Sequence, residues 1–309
     1  MRMFGCNGEV MRERILDTVK QIEGLRDGHY HYEVLTKKAE YIESEFISSG
    51  FKVERDEFLF HEKLHWNIIA TSSGPDRTGE QVLIGAHYDA VTDSPGADDN
   101  ASGVAVMLEA ARALGPRAGL QCVAFTLEEP QADSFDFLIG SKHFVKRMRT
   151  EGQRFKAAFI LESVGYVSHA PESQLLPPFV TAPTVGDFIG VVGNKKAGTI
   201  LEKFKGIAAQ HAPLLKVVTH RAPMRGFVVL ETRFSDHAPF WDAGYPALMI
   251  TDTAMFRNPY YHTPYDTSDT LSPDFMSQVA EALIHTVSEL LGSHHLSTEN
   301  SVPSRTEKF

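Results

Sequence analysis

Several short segments of the chain carry residues that could bind a metal ion or move a proton. The first, residues 81–103 (QVLIGAHYDAVTDSPGADDNASG), begins as an apolar run and continues into His87, Asp89 and Asp99. A short β-branched run flanked by small residues is typical of a buried strand, so His87 and Asp89 follow its carboxyl end. Side chains two apart on an extended chain point the same way. The spacing therefore predicts that Asp89 orients the imidazole of His87, as carboxylates do for metal-binding histidines.

Three further segments end in side chains of the same kind. One apolar strand runs into the neighbouring pair Glu128 and Glu129, and another ends at Glu162. His262 lies in a late loop, YYHTPYDTSDT. Because the functional groups of open α/β sheets gather beyond the carboxyl ends of the strands, we expect these side chains to meet His87 in space.

The candidate ligands indicate zinc chemistry. Imidazole and carboxylate donors suit one or two zinc ions, and two ions need a bridging carboxylate, for which Asp99 is the natural candidate. Neighbouring residues at a strand end face opposite ways, so Glu129 is predicted to be a ligand and Glu128 a general base toward a metal-bound water. The remaining histidines, among them His211 and His220, lie outside these segments and are not expected to be ligands.

The composition excludes some classes of partner. The chain has 309 residues with a formal net charge of −10, from 40 acidic and 30 basic residues. Nucleic acid is not an expected partner, because phosphate binding needs a basic patch. No stretch approaches the roughly 18 apolar residues that span a bilayer, so no membrane partner is expected. The sequence leaves the oligomeric state open.

The N-terminal residues and the cysteines bear on the cellular compartment. The first residues, MRMFGCNGEV, are too short and too polar for the apolar region of a signal peptide, which predicts a cytoplasmic location. The two cysteines, Cys6 and Cys122, are not expected to form a structural disulfide, and they provide no thiolate zinc site.

Strands and helices alternate along most of the chain, as in an α/β layered fold. No linker interrupts the alternation, so residues 1–292 are predicted to form a single domain. Residues 104–114 are predicted to be a helix capped by the Asp or Asn residues before it, and the apolar segment 227–230 a short strand. The tail, residues 293–309, has little to bury and is predicted to be disordered.

Six segments, in this order and spacing, carry a resemblance to a known family: GAHYDAV, PGADDNASG, FTLEEP, LESVGY, SDHAPF and YHTPYDT. Over residues 65–290 the chain resembles the M28 family of zinc aminopeptidases. The resemblance implies a single-domain, three-layer α/β/α sandwich around a mixed, mostly parallel sheet. It also implies a peptide substrate and two zinc ions per chain, since the usual members cleave N-terminal residues from peptides with two zinc ions.

The resemblance implies which residues bind the metal. By it, His87, Asp99 and Glu162 bind one zinc ion, and Asp99, Glu129 and His262 bind the other, with Asp99 as the bridge. The implied reaction is hydrolysis of the N-terminal residue by a metal-bound hydroxide, with a glutamate as general base.

The resemblance also implies roles around the metals. Glu128 is the implied general base, and Asp89 the residue that orients His87. Tyr261 matches a position where some members place a tyrosine that polarises the substrate carbonyl. Asp236 and His237, in SDHAPF, are expected to support the ligands or to face the substrate, and not to bind metal.

The chain departs from the family pattern at two places. Glu162 stands where aspartate is more usual, and the extra methylene puts the zinc spacing or occupancy in question. After Glu129, the longer stretch PQADSFDFLI, residues 130–139, replaces a short connection. This loop, with Phe135 and Phe137, is expected to border the substrate pocket.

Two other functions stand beside the aminopeptidase. One is a cyclase of the glutaminyl-cyclase type with the same fold, a mono-zinc aminoacyltransferase that releases ammonia from N-terminal glutamine. A complete set of residues for a second metal argues against it. The other is a non-catalytic binding module that kept the fold. Such modules usually lose ligands or the base, and all of these residues are present in this sequence.

Overall fold

In the computed structural model, the described residues are 4–72, 79–131, 134, 136–177 and 180–292, with the side chains of residues 4–7 excepted. The tail predicted to be disordered, residues 293–309, and the loop residue Phe135 lie outside the described residues. Across those ranges, none of the helices combines the length and the apolarity that crossing a bilayer would require.

Eight strands form one mixed sheet among the described residues. They are β1 (Lys52–Phe60), β2 (Lys63–Thr71), β3 (Gln81–His87), β4 (Leu120–Phe125), β5 (Phe155–Glu162), β6 (Phe188–Gly193), β7 (Lys216–Arg221) and β8 (Ala247–Thr251). Their order across the sheet is β1-β2-β4-β3-β5-β8-β6-β7. The four central strands β4, β3, β5 and β8 run parallel to one another. Strand β1 pairs antiparallel with β2, β2 with β4, and β6 with β8, while β7 is parallel to β6.

Helices cover both faces of the sheet. They are α1 (Phe4–Ile22), α2 (Tyr32–Ser48), α3 (Gly103–Leu114), α4 (Ile139–Thr150), α5 (Gly198–His211), α6 (His237–Asp242) and α7 (Pro273–Leu291). The buried residues of α1, α2, α3, α5 and α7 belong to the core on one face, and those of α4 and α6 belong to the core on the other. The predicted three-layer α/β/α sandwich is confirmed.

The amphipathic helices follow the spacing of their apolar residues. In α2, the four residues Leu35, Ala39, Ile42 and Phe46 recur at helical spacing and are all buried. Helix α7 begins where the Ser272 side chain accepts the backbone N–H of Phe275. These local signals place the helices that hold the sheet, and the sheet in turn positions the candidate site.

The parallel run of strands brings the candidate ligands to one edge of the sheet. His87 is the last residue of β3, and Glu162 is the last residue of β5, its neighbour in the sheet. Carboxyl ends of parallel strands meet at the same edge, so the predicted clustering of these two side chains follows from the topology.

The structure differs from the sequence prediction at one edge of the sheet. Residues 216–221 form β7, which the sequence did not predict, and residues 227–230 form no strand. Strand β7 is an edge strand whose residues are exposed or only partly buried, so its hydrophobic alternation is weak. The apolar side chains of Phe227, Val228 and Leu230 are exposed at the surface rather than paired in the sheet.

Candidate metal centre

The predicted ligands converge from five separate places in the chain. His87 and Glu162 end their strands, and Asp99 lies in the turn between β3 and α3. Glu129 follows β4, and His262 lies in the loop before α7, with a positive φ of 57°. Among the described residues, three groups could hold a metal ion: His87 with Asp99 and Glu162, Asp99 with Glu129 and His262, and His87 with Glu128 and Glu129.

Asp99 joins the first two of these groups through its two carboxylate oxygens. Oδ1 lies 3.2 Å from His87 Nε2, and Oδ2 lies 3.0 Å from His262 Nε2. The other carboxylates approach the same two imidazoles, with Glu162 Oε1 at 3.5 Å from His87 and Glu129 Oε2 at 3.3 Å from His262. Each oxygen of Asp99 thus faces a different group, as a bridging carboxylate would.

The donor atoms of this cluster fit zinc. His87 Nε2, Asp99 Oδ1 and Glu129 Oε1 are buried and have no hydrogen-bond partner among the described residues. Buried polar atoms without partners are rare in native proteins, and each one calls for an explanation. Imidazole nitrogen and carboxylate oxygen are the donors that zinc takes in sites without cysteine, so bound zinc would satisfy these atoms.

Burial and the closeness of the charged groups shift the pKa values of the residues in this cluster. Burial raises the pKa of Glu128 well above its ordinary value, and it raises the pKa of Glu129 to about 7, with the charge of Asp99 adding to the shift. Burial alone would lower the pKa of His262, but hydrogen bonds to Asp99 and Glu129 raise it to about 10. Without a metal the cluster is stabilised by protons, and a divalent cation can replace them.

Glu128 and Glu129 both turn into the site, but they meet different partners. Glu128 Oε2 lies 3.9 Å from His87 Nε2, whereas Glu129 contacts His262. Glu128 and Glu129 were predicted to face opposite ways as strand neighbours, but they do not lie on a strand. Strand β4 ends at Phe125, and Leu127 has a positive φ of 53°, so the pair lies on a turn beyond the strand.

Asp89 supports the Glu128–Glu129 turn more closely than it supports His87. Its two carboxylate oxygens accept the backbone N–H groups of Glu128 and Glu129, each at 3.1 Å. Its distance to His87 Nδ1 is 3.5 Å, at the outer limit of a hydrogen bond. The carboxylate therefore lies between the imidazole that it was predicted to orient and the turn that carries the base.

A second aspartate, which the sequence analysis did not single out, holds the turn around Asp99 in the same manner. The carboxylate of Asp266 accepts the backbone N–H of Asp98 at 2.9 Å and that of Asp99 at 3.1 Å. Asp266 lies in the YHTPYDT segment, four residues after His262. Its position in this motif was the only indication in the sequence that Asp266 contributes to the site.

Asn100 joins the same turn to α3 and β5. Its side-chain oxygen accepts the backbone N–H of Gly103, the first residue of α3, and that of Ser163, each at 3.1 Å. A Cβ at Gly103 would lie 2.2 Å from that oxygen, so this position requires glycine. The predicted capping of the helix by an Asp or Asn residue is confirmed, with Asn100 as the residue.

The SDHAPF segment reaches the site through Ser235. The Ser235 hydroxyl donates to Glu162 Oε2 at 2.7 Å and fixes the carboxylate whose other oxygen faces His87. Asp236 is buried, and burial raises its pKa to about 7. His237 donates from Nε2 to the Thr232 carbonyl at 2.7 Å. Among the described residues, neither Asp236 nor His237 belongs to a metal-holding group.

Tyr261 lies beside the cluster. Its ring stacks on that of His262, with centroids 3.8 Å apart and planes 14° apart. Burial and the surrounding carboxylates raise the pKa of Tyr261 well above its ordinary value, which keeps the phenol protonated. The side chain also lines a cavity that Glu162 borders.

This cavity is the apolar space next to the metal-binding residues. It has a volume of about 110 Å³, and its walls include Leu176, Val180, Phe188, Val192, Val218, Met249 and Phe256. Phe137 does not line it but packs edge-on against Phe234, which does, with ring centroids 6.5 Å apart. Phe137, the residue of loop 130–139 in this contact, thus touches the cavity wall from outside. Its predicted place at the border of the substrate pocket stays a prediction.

The sequence is similar to a peptidase family and to proteins from bacteria and fungi. The sequence profile of peptidase family M28 matches residues 67–287. Uncharacterized protein YfbL of Escherichia coli (strain K12) is 38% identical over 264 residues, 81% of this chain and 79% of that protein. A probable leucine aminopeptidase of Arthroderma otae is 30% identical over 259 residues, 80% of this chain and 62% of that protein.

Solved structures with the same architecture include enzymes of two kinds. The LapA aminopeptidase of Legionella pneumophila has a TM-score of 0.70 at 19% identity, covering 92% of this chain and 73% of its own. Glutaminyl cyclase of Fimbriiglobus ruber has a TM-score of 0.66 at 22% identity, covering 89% of this chain and 94% of its own. At these identities the likeness shows the fold.

Proposed function

The chain belongs to peptidase family M28, and on that premise we propose that it is a zinc-dependent aminopeptidase, which removes N-terminal residues from peptides. The observation that carries the proposal is the position of Asp99, whose two oxygens face His87 and His262. One carboxylate shared by two groups of ligands is what a co-catalytic pair of zinc ions needs.

Five residues would hold the metals. His87, Asp99 and Glu162 would hold one zinc ion, and Asp99, Glu129 and His262 would hold the other. Zinc supplies a Lewis acid that polarises the scissile carbonyl and acidifies a water molecule. The protein fixes the geometry of these ligands through Asp266 and Ser235, which hold Asp99 and Glu162 in place.

Glu128 is the proposed general base. It belongs to neither of the two groups built on Asp99, yet its carboxylate lies 3.9 Å from His87 Nε2. Its position beside His87 would let the carboxylate take a proton from the attacking water. The same oxygen then delivers that proton to the leaving amine.

Tyr261 is the proposed donor to the substrate carbonyl. Its phenol stays protonated and lies between the ligand His262, on which it stacks, and the apolar cavity. A hydrogen bond to an oxygen that gains negative charge in the transition state favours the reaction. The cavity would receive the side chain of the N-terminal residue. The name leucine aminopeptidase, which related proteins carry, agrees with an apolar pocket.

Metal content and product mass test the proposal. Purified protein should contain up to two zinc ions per chain, and chelation should abolish hydrolysis of amino-acid anilides until zinc is restored. Peptides should lose one residue at a time from the N-terminus. A folded sample that binds no zinc and hydrolyses none of these substrates would refute the proposal.

Glutaminyl cyclisation is the second candidate, because cyclases share this fold. In that reaction the N-terminal amine of the substrate attacks its own glutamine side chain, and ammonia leaves. Both groups of ligands are complete here, which favours hydrolysis. A peptide that starts with glutamine separates the two: loss of ammonia indicates cyclisation, and loss of the whole residue indicates hydrolysis.

A further inference from the structure

The floor of the cavity is one face of the sheet. Glu162 of β5, Thr251 of β8, Gly190 of β6 and Val218 of β7 are consecutive partners across these four strands. Three strand spacings of about 4.8 Å separate β5 from β7, so the floor extends about 14 Å from the metal ligand Glu162 to the sheet edge. Met249 of β8, Val192 of β6 and His220 of β7 form the neighbouring row of partners on the same face. His220 therefore lies at the edge of the floor that is farthest from Glu162.

Gly190 keeps this floor open. It lines the cavity, and a Cβ there would lie 3.2 Å from the Thr251 carbonyl oxygen and 3.6 Å from Thr253 Cγ2. These distances allow an alanine with a small local adjustment. The methyl group would occupy space on the cavity floor that a ligand uses.

The side chains of Gln174 and Thr232 on the cavity wall are hydrogen-bonded within the protein, whereas His220 Nε2 is not. Gln174 donates to Thr253 Oγ1 at 2.8 Å and accepts from Arg257 Nε at 2.9 Å, and the Thr232 hydroxyl donates to the Val229 carbonyl. Of the described residues that line the cavity, His220 alone has a buried side-chain nitrogen without a hydrogen-bond partner, Nε2.

The environment of His220 suits a neutral partner. Burial lowers the pKa of His220, so its imidazole is uncharged at neutral pH and Nε2 can donate or accept. A cationic side chain would enter a cavity with apolar walls, where burying an unpaired charge is costly. Glu231 also lines the cavity but is partly exposed, so water can solvate its carboxylate.

We infer that the cavity selects N-terminal tyrosine, with its ring against the apolar walls and its hydroxyl hydrogen-bonded to His220 Nε2. An apolar cavity of about 150 Å³ is known to bind benzene, and the 110 Å³ here is of the same order. His220 is then a specificity-determining residue for the proposed reaction. The inference rests on the proposed aminopeptidase function.

Substrates that differ by one hydroxyl test His220 directly. With dipeptides that begin with tyrosine or phenylalanine, kcat/KM of the wild type should favour tyrosine by roughly 3- to 10-fold, the value of one hydrogen bond. His220→Leu should bring the ratio to about 1 by lowering kcat/KM for tyrosine more than for phenylalanine. His220→Gln, which keeps a donor, should retain part of the preference. His211→Leu, an exposed histidine on α5, is the control.

Gly190→Ala tests the cavity itself. The added methyl group should lower kcat/KM for both aromatic substrates by about 10-fold relative to an N-terminal alanine substrate, which does not reach the floor. Circular dichroism of each variant checks that the protein is folded. If His220→Leu does not fold, His220→Gln and Gly190→Ala still decide the inference.

The dissociation constants of free L-tyrosine and L-phenylalanine, measured by calorimetry, do not depend on turnover. Tighter binding of tyrosine that His220→Leu removes supports the inference even if no peptide is hydrolysed, in which case the proposed function fails alone. Equal binding and equal hydrolysis of the two residues overturn the inference and leave the aminopeptidase standing. A preference for N-terminal arginine over tyrosine that Glu231→Gln removes also overturns it.

Discussion

The carboxylate of Asp89 accepts the backbone N–H of Glu128 at 3.1 Å, while its partner oxygen accepts that of Glu129 at the same distance. One buried side chain thus fixes the turn that carries both the proposed base and a proposed ligand. The turn lies beyond the end of β4 at Phe125, and the Glu128 carbonyl oxygen accepts the backbone N–H of Leu138 at 2.8 Å. Asp89 supplies the acceptors that a neighbouring strand would otherwise provide.

Asp89→Asn should therefore impair the site without abolishing the fold. The amide nitrogen cannot accept the N–H that one carboxylate oxygen accepts now, so one of the two bonds is lost. We expect kcat/KM to fall by about 10- to 100-fold, the usual effect of changing a residue that supports metal ligands. Asp93→Asn makes the same chemical change at an exposed position of the following loop. Equal effects of the two variants would contradict the role of Asp89.

Glu128→Gln and Glu129→Gln should separate the base from the ligand. Glu128→Gln keeps the shape but cannot accept the proton of water, so kcat should fall by about 10²- to 10⁴-fold with zinc content near that of the wild type. Glu129→Gln should bind one metal more weakly and recover part of its activity with added zinc. Zinc content and activity are measured on the same samples. If Glu128→Gln loses metal and added zinc restores it, the roles are reversed.

The convergence of His87, Glu162 and Asp99 could be predicted from the sequence, because strand ends follow from apolar runs and their meeting point follows from a parallel sheet. The direction of the Glu128 and Glu129 side chains could not. That direction depends on a turn in which Leu127 has a positive φ. Leucine rarely adopts a positive φ, so the sequence gives no indication of this turn.

The residues that hold the proposed ligands in place could not be predicted from the sequence. Ser235 and Asp266 lie in segments that were recognised, but their partners, Glu162 and the Asp99 backbone, are distant in sequence. Hydrogen bonds of this kind become visible only when the chain is folded. The cavity and its edge strand β7 were missed for the same reason, because their exposed and half-buried residues give weak periodicity.

Ser235→Ala should weaken the binding of one zinc ion. The hydroxyl donates to Glu162 Oε2 at 2.7 Å, and without it the longer glutamate side chain regains rotational freedom. We expect one of the two zinc ions to dissociate about 10-fold more readily on titration with a chelator. Ser168→Ala, in the loop after β5, serves as the control for losing a hydroxyl. Unchanged zinc affinity in Ser235→Ala would show that Glu162 is oriented by other contacts.

His65 and His237 should each destabilise the metal-free protein as the pH falls from 6.5 toward 4, whereas buried carboxyl groups with a raised pKa, such as Glu129 and Asp236, act in the opposite direction. Burial lowers the pKa of both His65 and His237 to about 4. Between these values the unfolded chain takes up protons that the folded chain excludes, so each group destabilises the fold by up to about 1.4 kcal/mol per pH unit. Above pH 6.5 neither group contributes to the slope.

Urea denaturation of the metal-free protein at several pH values measures this slope. His65→Phe removes one titrating group from an aromatic cluster that includes Tyr32 and Phe58, so its stability relative to the wild type should rise as the pH falls from 6.5 toward 4. His61→Phe, at an exposed position of the same hairpin, should leave the slope as in the wild type. If His65→Phe leaves the slope unchanged, His65 does not stay neutral in the folded state.

Arg26 should prove to be the residue that holds the N-terminal segment against the metal centre. Its buried guanidinium donates to the carbonyl oxygens of Tyr88, Pro95 and Gly96, at 2.8 Å for Tyr88 and 2.7 Å for Gly96. Tyr88 lies between His87 and Asp89, and Gly96 opens the turn that carries Asp99. The planar fork of arginine reaches these separate carbonyls together, which a lysine cannot do.

Arg26→Met should lower the free energy of unfolding by about 3 kcal/mol or more, because several buried carbonyl oxygens lose their donor. Arg26→Lys should recover only part of it, since one ammonium group cannot reach all three carbonyls. Arg12→Met removes a surface ion pair with Asp274 and should cost at most about 1 kcal/mol. Urea denaturation gives these values, and zinc titration of the folded fraction should show weaker binding in Arg26→Met. Wild-type zinc affinity in a destabilised Arg26→Met would confine Arg26 to the stability of the fold.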